Sequence, residues 1–257
     1  MSRIAETFER LSRNRRKALI GFLTAGDPEP EQSLDDLRTA LACGVDILEL
    51  GVPFSDPTAD GPVIQAAGQR ALASGMNVAR ALDLAHSVRA GSDAPIVLFG
   101  YVNPFFRYGY SRLCSDAVTA GVDGLLVVDL PFEESGELRG LASRSGLDLI
   151  PLIAPTTPVE RVRTVLAGAT GFVYYVMVKG VTGARQAIPA DDVSRSMVRL
   201  RACTTLPIAV GFGVSEPRQA REVAEGADGV VVGSALVTAA REHRLDSFVR
   251  SLRSAIP

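Results

Sequence analysis

The stretch EQSLDDLRTALACGVDILELGV, residues 31–52, joins an amphipathic segment to a short apolar run through Gly44-Val45-Asp46. The first part has helical character, the glycine is a natural left-handed helix terminator, and DILELGV has the length and apolar richness of a strand. The same connection returns at Gly121-Val122-Asp123 and Gly226-Ala227-Asp228. A helix that ends on glycine and runs straight into a strand is therefore a repeated unit of this chain.

Working outward from that unit, eight apolar runs stand at similar intervals: 18–25, 46–52, 95–102, 124–130, 147–153, 171–178, 206–212 and 229–233. Amphipathic segments fill the intervals, among them SRLCSDAVTA, EESGELRGLASRS, PVERVRTVLA and PRQAREVA, and LDSFVRSLRSA follows the last run. Continuous apolar strands alternating with helices predict a parallel sheet covered on its outer face. Eight such units in 257 residues match a (β/α)8 TIM barrel, and Ile4, Phe8 and Leu11 predict an extra helix before the first strand. A doubly wound open sheet fits less well, because the turn after the first strand reads TAGDPEP and carries no G-x-G-x-x-G. No linker or shift of composition divides residues 1–257, so one barrel domain is expected.

Composition narrows the function. Hydrophobic residues make up 47% of the chain and charged residues 22%, with a net charge of −2. The arginines are spread along the helices, so no footprint for nucleic acid is expected. No apolar run reaches the length of a membrane span, and the first sixteen residues lack the continuous apolar segment of a secretory signal. Cys43, Cys114 and Cys203 are odd in number and far apart, which predicts reduced thiols in a cytoplasmic protein. His86 and His243 both fall in helical stretches, which leaves no metal cluster and no Ser-His-Asp triad.

In a barrel the chemistry sits where strands end and the following loops begin. Glu49 lies inside an otherwise apolar strand, where an acid is costly and its pKa is driven upward toward the range useful for giving and taking a proton. Asp60 follows in the loop PFSDPTADGP, where it also reads as a helix N-cap, and Asp56 reads as a turn residue. Two carboxylates in unlike surroundings can divide their roles, one exchanging protons and the other staying ionised. The last two strands run into GFGVSEP and VVVGSALV, where Gly213 and the pair Gly233-Ser234 precede helices, an arrangement suited to a phosphate. After the sixth strand comes KGVTGARQAIPADD, read as a lid carrying Thr182 and Gly183 over the mouth. Tyr174 places a phenol near the same rim.

Together LELGVPFSDPTADGPVIQ, GFLTAGDP, GYVNPFFRYG, VVDLPFEE, PLIAPTTP, KGVTGA, GFGVS and VVVGSALV resemble the tryptophan synthase alpha subunit family over nearly the whole chain. The resemblance implies a barrel lyase that splits indole-3-glycerol phosphate into indole and glyceraldehyde 3-phosphate without a cofactor of its own. It also implies a beta subunit holding pyridoxal phosphate, an αββα heterotetramer, and passage of indole between subunits. On matching positions it makes Glu49 the general acid/base, Asp60 the partner of the indole N–H, and Tyr174 the active-site tyrosine. Gly183, Gly213, Gly233 and Ser234 match the phosphate cradle, and Phe22, Ile64, Tyr101 and Phe212 match the indole pocket. One departure is Met177, where the family commonly has serine. Two other functions fit a barrel of this kind: a Schiff-base aldolase using Lys179, one of only two lysines, and a protein that binds a beta subunit without catalysis.

Overall fold

The computed structural model describes residues 1–176, 190–211 and 213–257. Its strands are β1 (Ala18–Thr24), β2 (Ile47–Gly51), β3 (Ile96–Gly100), β4 (Gly124–Val127), β5 (Asp148–Leu149), β6 (Leu152–Ile153), β7 (Val173–Val176), β8 (Ile208–Gly211) and β9 (Gly229–Val232). All pair in parallel, in the order β5-β4-β3-β2-β1-β9-β8-β7-β6. The two ends of that order are neighbours in the chain, separated only by Ile150 and Pro151. The sheet therefore closes on itself with eight staves, the fifth made of two short pieces.

The expected single strand over 147–153 is thus divided, and the reason is local. The Ile150 N–H donates to the Leu125 carbonyl at 2.9 Å, whereas the Pro151 carbonyl accepts from the Tyr174 N–H at 2.9 Å. Residue 151 faces β7, and as a proline it has no N–H with which to extend that ladder downward. The lower half of the stave belongs to one neighbour and the upper half to the other.

Side chains alternate between the inside and the outside of the barrel. Inside, Ala18, Ile20, Ile47, Val97, Leu126, Ile150, Ala209 and Val231 form one cluster with Ile4, Phe8 and Leu11 of the helix Arg3–Arg13. That helix closes the lower end of the barrel, and the ring of Phe8 lies 5.6 Å from that of Phe172. Outside, the strands pack beneath the surrounding helices, with Leu19, Leu48, Leu98 and Leu125 fully buried.

The Gly-x-Asp connections lie at this lower end. Gly44 and Gly121 terminate their helices with φ of 118° and 80°. Gly226 does not: the helix Pro217–Ala224 ends on Glu225 with φ −60°, and an ordinary right-handed turn leads onward. The aspartates behave alike in all three connections. Asp46 accepts from the Leu19 N–H at 2.9 Å, Asp123 from Ile96 at 2.8 Å and Asp228 from Ile208 at 2.8 Å. Each is also paired with an arginine, Arg253, Arg89 or Arg201 respectively. Carboxylates thus tie adjacent staves together below, away from the chemistry.

Candidate active site

Glu49 lies on β2 two residues above Ile47, so it points into the barrel. Its register partners are Phe22 on β1 and Val97 on β3. The side chain is wholly buried, and neither carboxyl oxygen has a hydrogen-bond partner among the described residues. Removal from water with nothing in exchange pushes its pKa up to about 8. Near neutrality this acid is mostly protonated, with both oxygens uncommitted among the described residues.

The lid over Glu49 is Phe22. Gly51 is the next inward position above Glu49, and a Cβ there would meet Cζ of Phe22 at 2.4 Å. The ring therefore fills the space above the carboxyl, and it is held there edge-on to Phe99 at 5.1 Å. Above it opens a narrow cleft lined by Phe22, Phe99, Tyr101, Ile64, Phe54 and Asp60. Four apolar walls, one tyrosine and one acid suit a flat aromatic ligand carrying one polar hydrogen.

Asp60 stands in the loop before the helix Pro62–Ala73, whose N-cap is Gly61, so the capping alternative for Asp60 does not apply. Its neighbour Asp56 is exposed and accepts from the Ser55 hydroxyl at 2.5 Å. Structure thus separates two acids that spacing could not. Partial burial raises the Asp60 pKa to about 6, against a hydrogen bond from the Tyr101 hydroxyl that lowers it. The same hydroxyl accepts from the Ala59 N–H at 3.0 Å, and Gln65 donates to the Asp60 carbonyl at 2.9 Å. Tyr101, just past β3, and Gln65 of the helix Pro62–Ala73 hold the loop in place.

Tyr174 on β7 turns its hydroxyl onto Gly211 of β8, where an added Cβ would stand 2.4 Å from the phenolic oxygen. Burial first, then the fields of Glu49 and Asp60, hold this phenol well above its ordinary pKa. It faces both acids as a neutral hydroxyl. Glu49 and Asp60 thereby both lie within electrostatic reach of Tyr174, Glu49 below the Phe22 ring and Asp60 in the cleft above it.

The two glycine motifs differ. Gly233 is the N-cap of the helix Ser234–Arg241, and a Cβ on it would lie 3.7 Å from Ile64 and 3.8 Å from Phe22. The glycine-capped helix end thus adjoins the apolar cleft. Gly213 is left-handed, with φ 57° and open space beside it. It does not open a helix directly, as its motif suggested: Glu216 and Gln219 already cap the helix Pro217–Ala224. Thr182, Gly183, Phe212, Met177 and Lys179 lie outside the described residues.

Several residues of the site escape a reading of motifs. Phe99 shares the inward face with Val97 and could have been found by counting in twos. Gly51 and Gly211 act by lacking side chains, and a glycine inside a strand is the available signal for close approach. Thr24 borders the cleft with a buried hydroxyl that has no partner among the described residues. His243, expected in a helix, is in a left-handed turn at φ 53° after Arg241. Among the described residues no group of His, Cys, Asp and Glu could hold a metal ion, and no helix is long and apolar enough to cross a membrane.

A closed parallel barrel with a desolvated carboxyl below an aromatic cleft, and a glycine-capped helix end beside it, defines an acid–base enzyme of the (β/α)8 class. Residues 8–253 match the family model described as tryptophan synthase alpha chain. The tryptophan synthase alpha chain of Geotalea daltonii is 52% identical over 92% of this chain and 89% of its own. Among solved structures, the alpha subunit from Legionella pneumophila superposes with a TM-score of 0.92 at 38% identity, covering 99% of this chain and 98% of that one. Tryptophan synthase from M. tuberculosis in its aminoacrylate-bound form gives 0.91 at 33% identity over the full length of both. The chain belongs to the tryptophan synthase alpha chain family. It is accordingly a lyase of tryptophan biosynthesis that cleaves indole-3-glycerol phosphate, in a family that works with a beta subunit. The alpha chain family has no cofactor, and pyridoxal phosphate belongs to the beta subunit.

Proposed function

We propose that Glu49, Asp60 and Tyr174 carry the cleavage in this chain, with Glu49 as the group that moves the proton. The supporting observation is the pairing of unlike acids: a wholly buried Glu49 with a pKa near 8 and a half-buried Asp60 with one near 6. Between those values Glu49 holds a proton and Asp60 is ionised. The protonated Glu49 gives its proton to the indole ring carbon that bears the glycerol chain. Asp60 accepts the indole N–H and steadies the positive charge that the ring acquires. Glu49, now a carboxylate, takes the proton of the neighbouring glycerol hydroxyl as the carbon–carbon bond breaks and its electron pair returns to the ring. Indole and glyceraldehyde 3-phosphate leave with Glu49 protonated again. Tyr174 supplies a neutral hydroxyl facing both acids.

Phe22, Ile64, Tyr101 and Phe212 form the indole pocket in this reading. Gly183, Gly213, Gly233 and Ser234 hold the phosphate, with Thr182 in the lid. Residues 1–257 act as one barrel domain, in the cytoplasm and within an αββα heterotetramer. The test is indole release from indole-3-glycerol phosphate with and without the beta subunit. Weak turnover alone, strong stimulation by the partner, and near-total loss in Asp60→Asn are expected; full activity in Asp60→Asn contradicts the assignment.

A further inference from the structure

The ring of Phe22 stands between the two acids. Glu49 is wholly buried beneath it, while Asp60 lines the cleft above it together with Ile64 and Phe99. The cleft has a volume of about 10 Å³, room for roughly one water molecule and too little for a bicyclic ring. An indole that meets Asp60 there is held off Glu49 by the same phenyl group that walls the cleft.

Packing fixes this ring on one side only. Toward β2 it fills the space left by Gly51, with Cζ and Cε2 at 2.4 and 2.5 Å from the position of a Cβ there, and it lies edge-on to Phe99 at 5.1 Å. Toward β9 stands Gly233, where a Cβ would come no closer than 3.7 Å to any described side chain, so a methyl-sized space lies open beside the ring. A phenylalanine side chain moves in discrete steps between staggered rotamers, so it either covers Gly51 or leaves it.

We infer that Phe22 is a gate between the indole cleft and Glu49: its ring leaves Gly51 as the indole enters, and the indole takes its place above the carboxyl. The inference rests on the reading that both acids act on one indole. Phe22 is in this sense a positioning residue. Closed, it keeps solutes from the protonated acid; open, it walls the pocket that the indole fills.

The direct test uses the wild-type chain, with Phe and Gly ¹³C-labelled in a deuterated background. Nuclear Overhauser contacts between the Phe22 ring and the Gly51 α-protons are expected in the free protein. They are lost at saturation with indole-3-propanol phosphate, the substrate without the hydroxyls of its glycerol chain. A second readout is the coupling of glycinamide to Glu49 by a water-soluble carbodiimide at pH 7, followed by peptide mass spectrometry. With an open population of about 10% or less in wild type, Phe22→Leu, whose side chain falls short of Gly51, is expected to react at least about tenfold faster. A residue that only lined the pocket would change affinity and leave the reactivity of Glu49 in the free protein alone. Persistence of the Phe22–Gly51 contact in the saturated complex overturns the inference, as does coupling to Glu49 no faster in Phe22→Leu than in wild type. Both readouts are independent of the acid roles, which fall separately if Glu49→Gln cleaves the substrate at the wild-type rate.

Discussion

The ring of Phe22 occupies the place where Gly51 has no side chain, 2.4 Å from the position of a Cβ there, and so covers Glu49 from the mouth of the barrel. Gly51→Ala forces the ring aside, an overpacking that costs about 1–3 kcal/mol. Urea denaturation checks that loss, and a steady-state assay is expected to show indole release falling at least about tenfold as the wall of the aromatic pocket shifts.

Tyr174 and Gly211 are related in the same way across β7 and β8. Gly211→Ala presses a methyl group onto the phenolic oxygen and lowers both stability and turnover. Tyr174→Phe removes that oxygen, so the double variant is less destabilised than the sum of the two single changes. A double-mutant cycle is expected to give a coupling of about 0.5–3 kcal/mol. Strict additivity contradicts the contact.

The raised acids predict how stability varies with pH. A carboxyl whose folded pKa exceeds its unfolded value binds more protons in the native state, so its stabilisation is complete below the unfolded pKa and lost as pH rises through the folded one. Asp60 has finished this change by about pH 7, while Glu49 continues to about 8. Unfolding free energy therefore falls between pH 6 and 8 with a slope of at most about 1.4 kcal/mol per pH unit from Glu49. Glu49→Gln removes that slope in urea titrations taken at each pH.

The same two groups set the pH profile of catalysis. With Glu49 required as an acid and Asp60 as an anion, kcat/KM rises near pH 6 and falls near pH 8. Tyr101→Phe deletes the hydrogen bond that favours ionised Asp60, so the acidic limb moves to higher pH and the alkaline limb stays. A profile in which only the alkaline limb moves contradicts these roles.

At the opposite end of the barrel Asp123 binds Arg3 and Arg89 at 2.7 Å each, as well as the Ile96 N–H. Asp123→Asn leaves half-buried Arg89 without its counter-ion and destabilises the fold by roughly 1–3 kcal/mol. Turnover of the folded protein is unchanged, because this carboxylate joins staves far from the cleft.

Much of this architecture is legible in the chain because single residues announce it. Apolar runs gave strand positions within one or two residues for β1, β2 and β9, since a buried parallel strand leaves no polar positions to blur it. Glu49 stands out as a charge with no business in a core strand. The division of the fifth stave was not legible, because Pro151 is compatible with a strand end and the loss appears only when both neighbours are in place. Gly226 was misread because a glycine after a helix need not adopt the left-handed state it permits. Gly51 and Gly211 are only half legible: a glycine inside a strand signals close approach, but what fills the space opposite it is a property of the closed barrel.

The most direct measurement is single-turnover cleavage of indole-3-glycerol phosphate by wild type and Glu49→Gln, alongside substrate affinity. The amide keeps the size of the buried side chain and cannot pass a proton. Cleavage is expected to slow by about a thousandfold while affinity stays within about threefold of wild type. Cleavage by Glu49→Gln at the wild-type rate would contradict the account.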